Sequence, residues 1–254
     1  MQKFGHAGSP WSTDWSSRAA GSTRGCRALE RAVDHKRLAV GLVAEFVIAI
    51  DGPAGSGKSS VSKEAARRLG FGYLDTGAGY RALALHGLNH PELAIEELLE
   101  SFDYSISLDP DVARVTLGEE DVTAEIRTER TASAVSQIAR VPAVRAMQLE
   151  DARNRISACD KPGIVVEGRD ITTVVAPDAS LRILLTAQEA VRLARRGLEN
   201  SESAENLKAR DASDSKVVEF MTAAEGVYLV DTTDLDFESS VAEVLRLVEV
   251  VKHG

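Results

Sequence analysis

Residues 46–69 read FVIAIDGPAGSGKSSVSKEAARRL. A short β-branched run, Val47-Ile48-Ala49-Ile50, leads into Gly52-Pro53-Ala54-Gly55-Ser56-Gly57-Lys58-Ser59. A segment with apolar or small residues at Val61, Ala65, Ala66 and Leu69 follows, at helical spacing. Strand, Gly-x-x-x-x-Gly-Lys-Ser, helix is the order of a phosphate-binding loop. Glycines let successive backbone N–H groups crowd into an anion-binding nest, and the helix start adds its unpaired donors and positive dipole end. Lys58 is placed to reach β- and γ-phosphates, and the Ser59 hydroxyl suits Mg²⁺.

Outward from this stretch, Phe71–Asp75 reads as a second strand, and Thr76-Gly77-Ala78-Gly79-Tyr80-Arg81 runs into a helix expected from Tyr80 to Leu88. Strand, helix and strand within some 30 residues predict a right-handed crossover and a parallel sheet. Helices are expected over 91–100, 128–140 and 141–156, with Pro142 in the first turn of the last, and short strands over 104–108 and 114–117. This block interrupts the sheet pattern and reads as an insertion spanning about 90–160. The sheet resumes at Gly163–Glu167, a continuous apolar run of the kind buried on both faces, and at Leu181–Leu185. Thr186-Ala187-Gln188-Glu189 resembles a capping box opening a helix to Arg196. A polar loop over 199–205, a last strand over 227–230 and a closing amphipathic helix over 237–252 complete the α/β pattern.

The chain has 254 residues, a net charge of −9 and two cysteines, Cys26 and Cys159. An acidic balance disfavours a general nucleic-acid binder, while a phosphorylated small molecule needs only a local cationic pocket. Cysteine usage without metal-ligand spacing fits a reducing, cytoplasmic setting. No apolar run approaches the ~20 residues of a membrane span. Residues 1–45, rich in Gly, Ser and Thr and holding Trp11 and Trp15, read as a disordered N-terminal extension that the fold does not need, with an interaction arm as the alternative.

Arg81, Arg145 and Arg169 are far apart in sequence, but each follows a predicted strand or sits on a helix beside one. Ligands of open α/β sheets sit at the carboxyl ends of strands, so Lys58, Arg81 and Arg169 are expected to share one crevice. Arginine's planar fork suits phosphate. Asp170 adds a carboxylate at the same edge, suited to an exocyclic amine or to the surroundings of Mg²⁺, or else to a helix cap or an ion pair with Arg169. Arg192, Arg195, Arg196 and Arg210 cluster around the polar loop, where a solvated charged face is the plainer reading of each taken singly.

In this order and spacing, IDGPAGSGKSS, LDTGAGYRA, EEDVTAEIRTERTASAVSQIARVPAVR, VVEGRDITTVV and RDASDS resemble the bacterial-type cytidylate kinases, within the nucleoside monophosphate kinases. The resemblance runs from about Val47 to Val251. It implies a three-layer P-loop fold with a central parallel five-stranded sheet, an acceptor-binding insertion and a mobile lid over about 195–216. It implies ATP, held by Gly52, Pro53, Ala54, Gly55, Ser56, Gly57, Lys58, Ser59 and Ser60, with Mg²⁺ at Ser59. Thr76, Arg145 and Asp170 match positions that read the cytosine, Arg81 and Arg169 those that hold the acceptor phosphate, and Ser136, Arg210 and Asp214 those that face the pentose. Arg192, Arg195 and Arg196 fall where the lid supplies arginines to the transferring phosphoryl group, and the catalytic set is Lys58, Arg81, Arg169 and Asp170.

The chain departs from the family pattern in four ways. Gly79 stands where a bulky residue is usual, and Thr172 where glycine is usual. Val217 replaces an arginine, and the lid is short. The expected activity is phosphorylation of CMP and dCMP by a monomer, with no nucleic-acid or membrane partner. Two alternatives stay open: a P-loop kinase of another small acceptor, marked by faster turnover of UMP or AMP, and a nucleotide-binding module without transfer, marked by ATP binding without CMP-dependent ADP release.

Overall fold

The computed structural model describes residues 44–199 and 222–254. Its main sheet has five strands in the order β2-β6-β1-β7-β8: β1 (Phe46–Asp51), β2 (Gly72–Asp75), β6 (Gly163–Gly168), β7 (Leu181–Thr186) and β8 (Tyr228–Asp231). Every pairing in it is parallel. The register sets Asp51 against Gly168 and Asp75 against Glu167, so β1, β2 and β6 end flush at one carboxyl edge.

Alternation along β1 makes the layers. Ile48 and Ile50 pack with Val61, Ala65 and Ala66 of helix α1 (Lys58–Leu69) and with Val241, Val244 and Val248 of the C-terminal helix, residues 237–253. Ala49 faces the other way, with Leu74, Ile164, Val166 and Ile171. Ile48 and Ile50 are fully buried, each contributing roughly 1.5–3 kcal/mol of burial. Among the described residues no helix is long and apolar enough to cross a membrane.

Between β2 and β6 lies the expected interruption. It holds helices α2 (Thr76–Asn89), α3 (Ile95–Glu100), α4 (Glu129–Ile138) and α5 (Pro142–Ser157) and a small antiparallel sheet of β3 (Tyr104–Ile106), β4 (Val115–Leu117) and β5 (Glu120–Asp121). The small sheet packs Val115, with Val122 and Ile126 beyond it, on Ala78, Ala82 and Leu85 of α2.

Several boundaries differ from the sequence expectation for local reasons. Helix α2 begins at Thr76 rather than Tyr80, because Asp75 caps it by accepting from the Ala78 amide at 3.1 Å. Residues 91–94 are not helical, and α3 starts only at Ile95. Strand β5 was not anticipated; it is two exposed polar residues with no apolar alternation. Thr186 does not open a capping box. It is the last residue of β7, and its carbonyl accepts from the Thr232 amide and hydroxyl, so helix α6 (Glu189–Glu199) starts without it. The expected polar loop over 199–205 and the greater part of the lid lie outside the described residues, as do residues 1–43.

Candidate active site

Helix α1 begins without a side-chain cap: Gly57 precedes it in a left-handed conformation, leaving first-turn N–H groups for an anion. Gly55 cannot be replaced. Its φ is +77°, and a Cβ there would stand 2.6 Å from the Arg192 carbonyl oxygen, because α6 lies directly against the loop. The Ser60 hydroxyl donates back to the Gly57 carbonyl at 3.1 Å, while Ser59 is exposed. Ser56 Oγ is buried with no hydrogen-bond partner. Glycine backbone and the uncapped helix start therefore make a concavity suited to an anion, with Lys58 at its edge.

The flush strand ends gather the cationic groups. Lys58 Nζ lies 3.7 Å from Glu167 Oε2 at the end of β6. Glu167, 1 % exposed, also accepts from the Tyr73 hydroxyl at 2.9 Å, and its carbonyl accepts from Thr76 Oγ1 at 2.8 Å. Burial, then the Glu167 charge, pushes the Tyr73 phenol well above its ordinary range, so Tyr73 stays a donor. Arg81, one turn into α2, pairs with Asp75 Oδ2 at 2.7 Å, and Arg127 lies 3.7 Å from the same oxygen. Arg169 donates to the Gly52 carbonyl at 2.8 Å, which ties the turn after β6 to the start of the phosphate loop. Lys58, Arg81 and Arg169 thus each contact a residue at or just beyond the carboxyl end of β6, β2 or β1.

Beside that edge is a cavity of about 120 Å³ lined by Thr76, Tyr80, Arg145, Gln148, Asp170 and Val174, among others. Arg145 Nη2 and Asp170 Oδ2 pair across it at 2.8 Å. Burial, helped by the Asp170 charge, raises the Tyr80 phenol to about 12, so it lines the cavity as a neutral group. Asp170 is fixed from below. The π-helical turn Ile171–Val175 begins after it, and Asp51, at the end of β1, accepts from the Ile171 amide, the Thr172 amide and the Thr172 hydroxyl at 2.6–2.8 Å. Arg153 of α5 closes the other end of the turn by donating to the Val174 and Val175 carbonyls.

Two arginines of α6 contact the protein's own backbone. Arg192, 7 % exposed, donates to the Ala54 carbonyl at 3.0 Å. Arg195 donates to Thr232 Oγ1 at 2.9 Å, to the Thr232 carbonyl at 2.8 Å, to the Leu235 carbonyl at 3.2 Å and to the Ser56 carbonyl at 3.5 Å. Arg192 thus braces the phosphate-loop backbone at Ala54, and Arg195 is held mainly by the segment after β8, with a longer contact to the loop at Ser56. Arg196 belongs to α6 with its side chain outside what is described, and Arg210, Asp214 and Val217 lie outside the described residues. Ser136 is half-buried on α4, which packs against α2.

Sequence reasoning missed Asp51, Asp75, Glu167 and Gln148. A charged residue closing an apolar strand was the available signal for Glu167. A polar residue between Val144 and Ala152 on the buried stripe of α5 was the signal for Gln148.

A glycine-built phosphate loop at the edge of a parallel sheet, facing a second pocket with its own cations, defines a P-loop kinase of a small phosphorylated acceptor. The cytidylate kinase family model matches residues 48–250. The chain is 43 % identical over 218 residues to a cytidylate kinase of Cutibacterium acnes (strain DSM 16379 / KPA171202), covering 81 % of this chain and 96 % of that protein. It is 41 % identical over 219 residues to a cytidylate kinase of Rhodococcus opacus (strain B4), covering 80 % and 94 %. The chain belongs to the cytidylate kinase family.

Proposed function

We propose that the protein transfers the γ-phosphoryl group of ATP to the phosphate of CMP, and of dCMP, giving CDP or dCDP and ADP. The observation that carries this reading is the adjacency of two unlike sites: the cavity holding the Arg145–Asp170 pair, and the edge bearing Lys58, Arg81 and Arg169.

In the step, an oxygen of the acceptor phosphate attacks the γ-phosphorus in line, and the bond to the ADP oxygen breaks. The nucleophile is already ionised, so no general base is needed; the task is positioning and charge compensation. Lys58 leaves Glu167 for the β- and γ-phosphates. Arg81 and Arg169 hold the acceptor phosphate against its repulsion from ATP. Asp170 accepts from the cytosine amine while Arg145 and Thr76 complete the edge, so uracil would leave buried polar groups unpaired. Arg192, Arg195 and Arg196 serve the transferring phosphoryl group, and Ser136, Arg210 and Asp214 face the pentose.

Mg²⁺, when bound, would supply charge neutralisation to the transferring phosphates, and the exposed Ser59 hydroxyl in the first turn of α1 would hold it. Cys159 is a buried free thiol; we place the enzyme in the cytoplasm, as its sparse cysteines suggest. We read the working form as a monomer. A coupled assay of ADP release with CMP, dCMP, UMP and AMP tests the proposal. CMP and dCMP are expected to turn over fastest, and faster turnover of UMP or AMP would overturn it.

A further inference from the structure

Gln148 is 6 % exposed, lines the cavity, and its Nε2 is buried with no hydrogen-bond partner. A buried amide donor left unpaired is a cost that native proteins rarely carry without a reason. It lies three residues after Arg145 on α5, one helical step along the same face.

Its seat exists because residue 79 is glycine. A Cβ at Gly79 would stand 2.4 Å from Gln148 Oε1 and 3.3 Å from the Tyr104 hydroxyl, so any larger residue would displace the amide. Here the side chain is missing from α2, and an amide from α5 occupies the space at the cavity wall.

We propose that Gln148 is a specificity-determining residue that reads the base of the acceptor. Cytosine offers one amine donor and two acceptors, its ring nitrogen and its carbonyl oxygen. Asp170 takes the amine, and Arg145 and Gln148 donate to the acceptors. The terminal torsion of glutamine is broad, so a turn of the amide brings Nε2 to the ligand without moving α5. Gly79 and Gln148 therefore act as one unit. The inference rests on the reading of this cavity as the base site.

The test is the Gln148→Leu variant, assayed for CMP turnover and for competitive inhibition by ribose 5-phosphate, which carries the phosphate and pentose but no base. KM for CMP is expected to rise about ten-fold, equivalent to roughly 1.4 kcal/mol. kcat, KM for ATP and the inhibition constant of ribose 5-phosphate should change less than two-fold. Tm is expected to hold or rise, because leucine removes the unpaired donor. Gln148→Glu, which keeps the shape and replaces the donor by a carboxylate, should raise KM for CMP at least as far. An unchanged KM for CMP in both variants overturns the assignment. So does a parallel rise in the ribose 5-phosphate constant, which is what a merely structural role would give. Asp170→Ala, run alongside, separates the two levels. If it raises KM for CMP while the Gln148 variants do not, only Gln148 is wrong; if it too leaves KM unchanged, the cavity is not the base site.

Discussion

The donor and acceptor halves of the site are built by different means. On the side proposed for the donor, the chain supplies backbone: glycines, an uncapped helix start, and the Ala54 carbonyl braced by Arg192. On the acceptor side it supplies charged side chains drawn from α2, α5 and the turn after β6, and two of these arginines rest on a carboxylate, Arg81 on Asp75 and Arg145 on Asp170. Lys58, where the halves meet, rests near Glu167. Backbone nests cost nothing to leave empty in water, whereas a cluster of cations at one edge would repel itself without counter-ions. Phosphate binding on the acceptor side is then an exchange of partners, and its net gain is smaller than the number of arginines suggests.

The largest expected effect breaks the comparison at its junction. Lys58→Ala should lower kcat by about 10²–10³-fold, the usual cost of losing one preorganised charge at the transferring group. Tm is expected to fall as well, because the Lys58 side chain is 15 % exposed and its loss takes a cation from the buried Glu167 carboxylate, so kcat is compared at a temperature where both proteins are folded. Turnover within ten-fold of the parent would mean that the backbone cradle suffices.

Next in size is Arg169→Lys, which keeps the charge but loses the planar fork. Arg169 both faces the acceptor edge and donates to the Gly52 carbonyl, so it links the halves. KM for CMP is expected to rise roughly ten-fold or more, the scale of one charge-assisted hydrogen bond, with KM for ATP rising less. An equal rise in both would place Arg169 on the donor side. Asp170→Ala should follow, removing most of the preference for CMP over UMP while leaving the ATP constants alone. Unchanged discrimination would take Asp170 out of base reading.

The same contrast explains what could be read in the sequence. The donor side is contiguous, so Gly52 to Ser60 announces itself, strand and helix included. The sheet also declares itself, through β-branched runs such as Ile164-Val165-Val166. The acceptor side is scattered over some 95 residues of sequence from Thr76 to Asp170; Arg81, Arg145 and Asp170 could be picked out by their placement beside strand ends, but their roles were legible only through the resemblance to a family. The counter-ion of Arg81, Asp75, was not legible at all. Asp75 reads as a strand end and a helix cap, and nothing in its neighbours says that its second oxygen holds Arg81. The arginines of α6 show the converse. Their helical spacing is plain, but whether a guanidinium reaches a ligand or a carbonyl of its own chain depends on packing that spacing does not encode.

The smallest expected effect concerns the support beneath Asp170. Thr172 lies in the turn after Asp170, and its hydroxyl gives Asp51 one more donor at 2.6 Å. Burial raises the Asp51 carboxyl above its ordinary 3.8, and the hydrogen bonds from Thr172 and Ile171 pull it part of the way back. Thr172→Gly should lose about 1 kcal/mol with the hydroxyl and up to about 1 kcal/mol more in backbone entropy. A carboxyl whose folded value lies above its unfolded one contributes its full stability below pH 3.8 and loses it as pH rises through the folded value. Thr172→Gly removes a bond to the ionised form, so the folded value moves further up and the loss grows. The stability gap between the parent and Thr172→Gly should therefore be widest near neutral pH and narrow towards the entropic share as pH falls towards 3.8, measured by urea unfolding at each pH. A gap independent of pH would mean that the hydroxyl does not act on Asp51. A fall in CMP discrimination in Thr172→Gly would show that the turn beneath Asp170 also sets its aim.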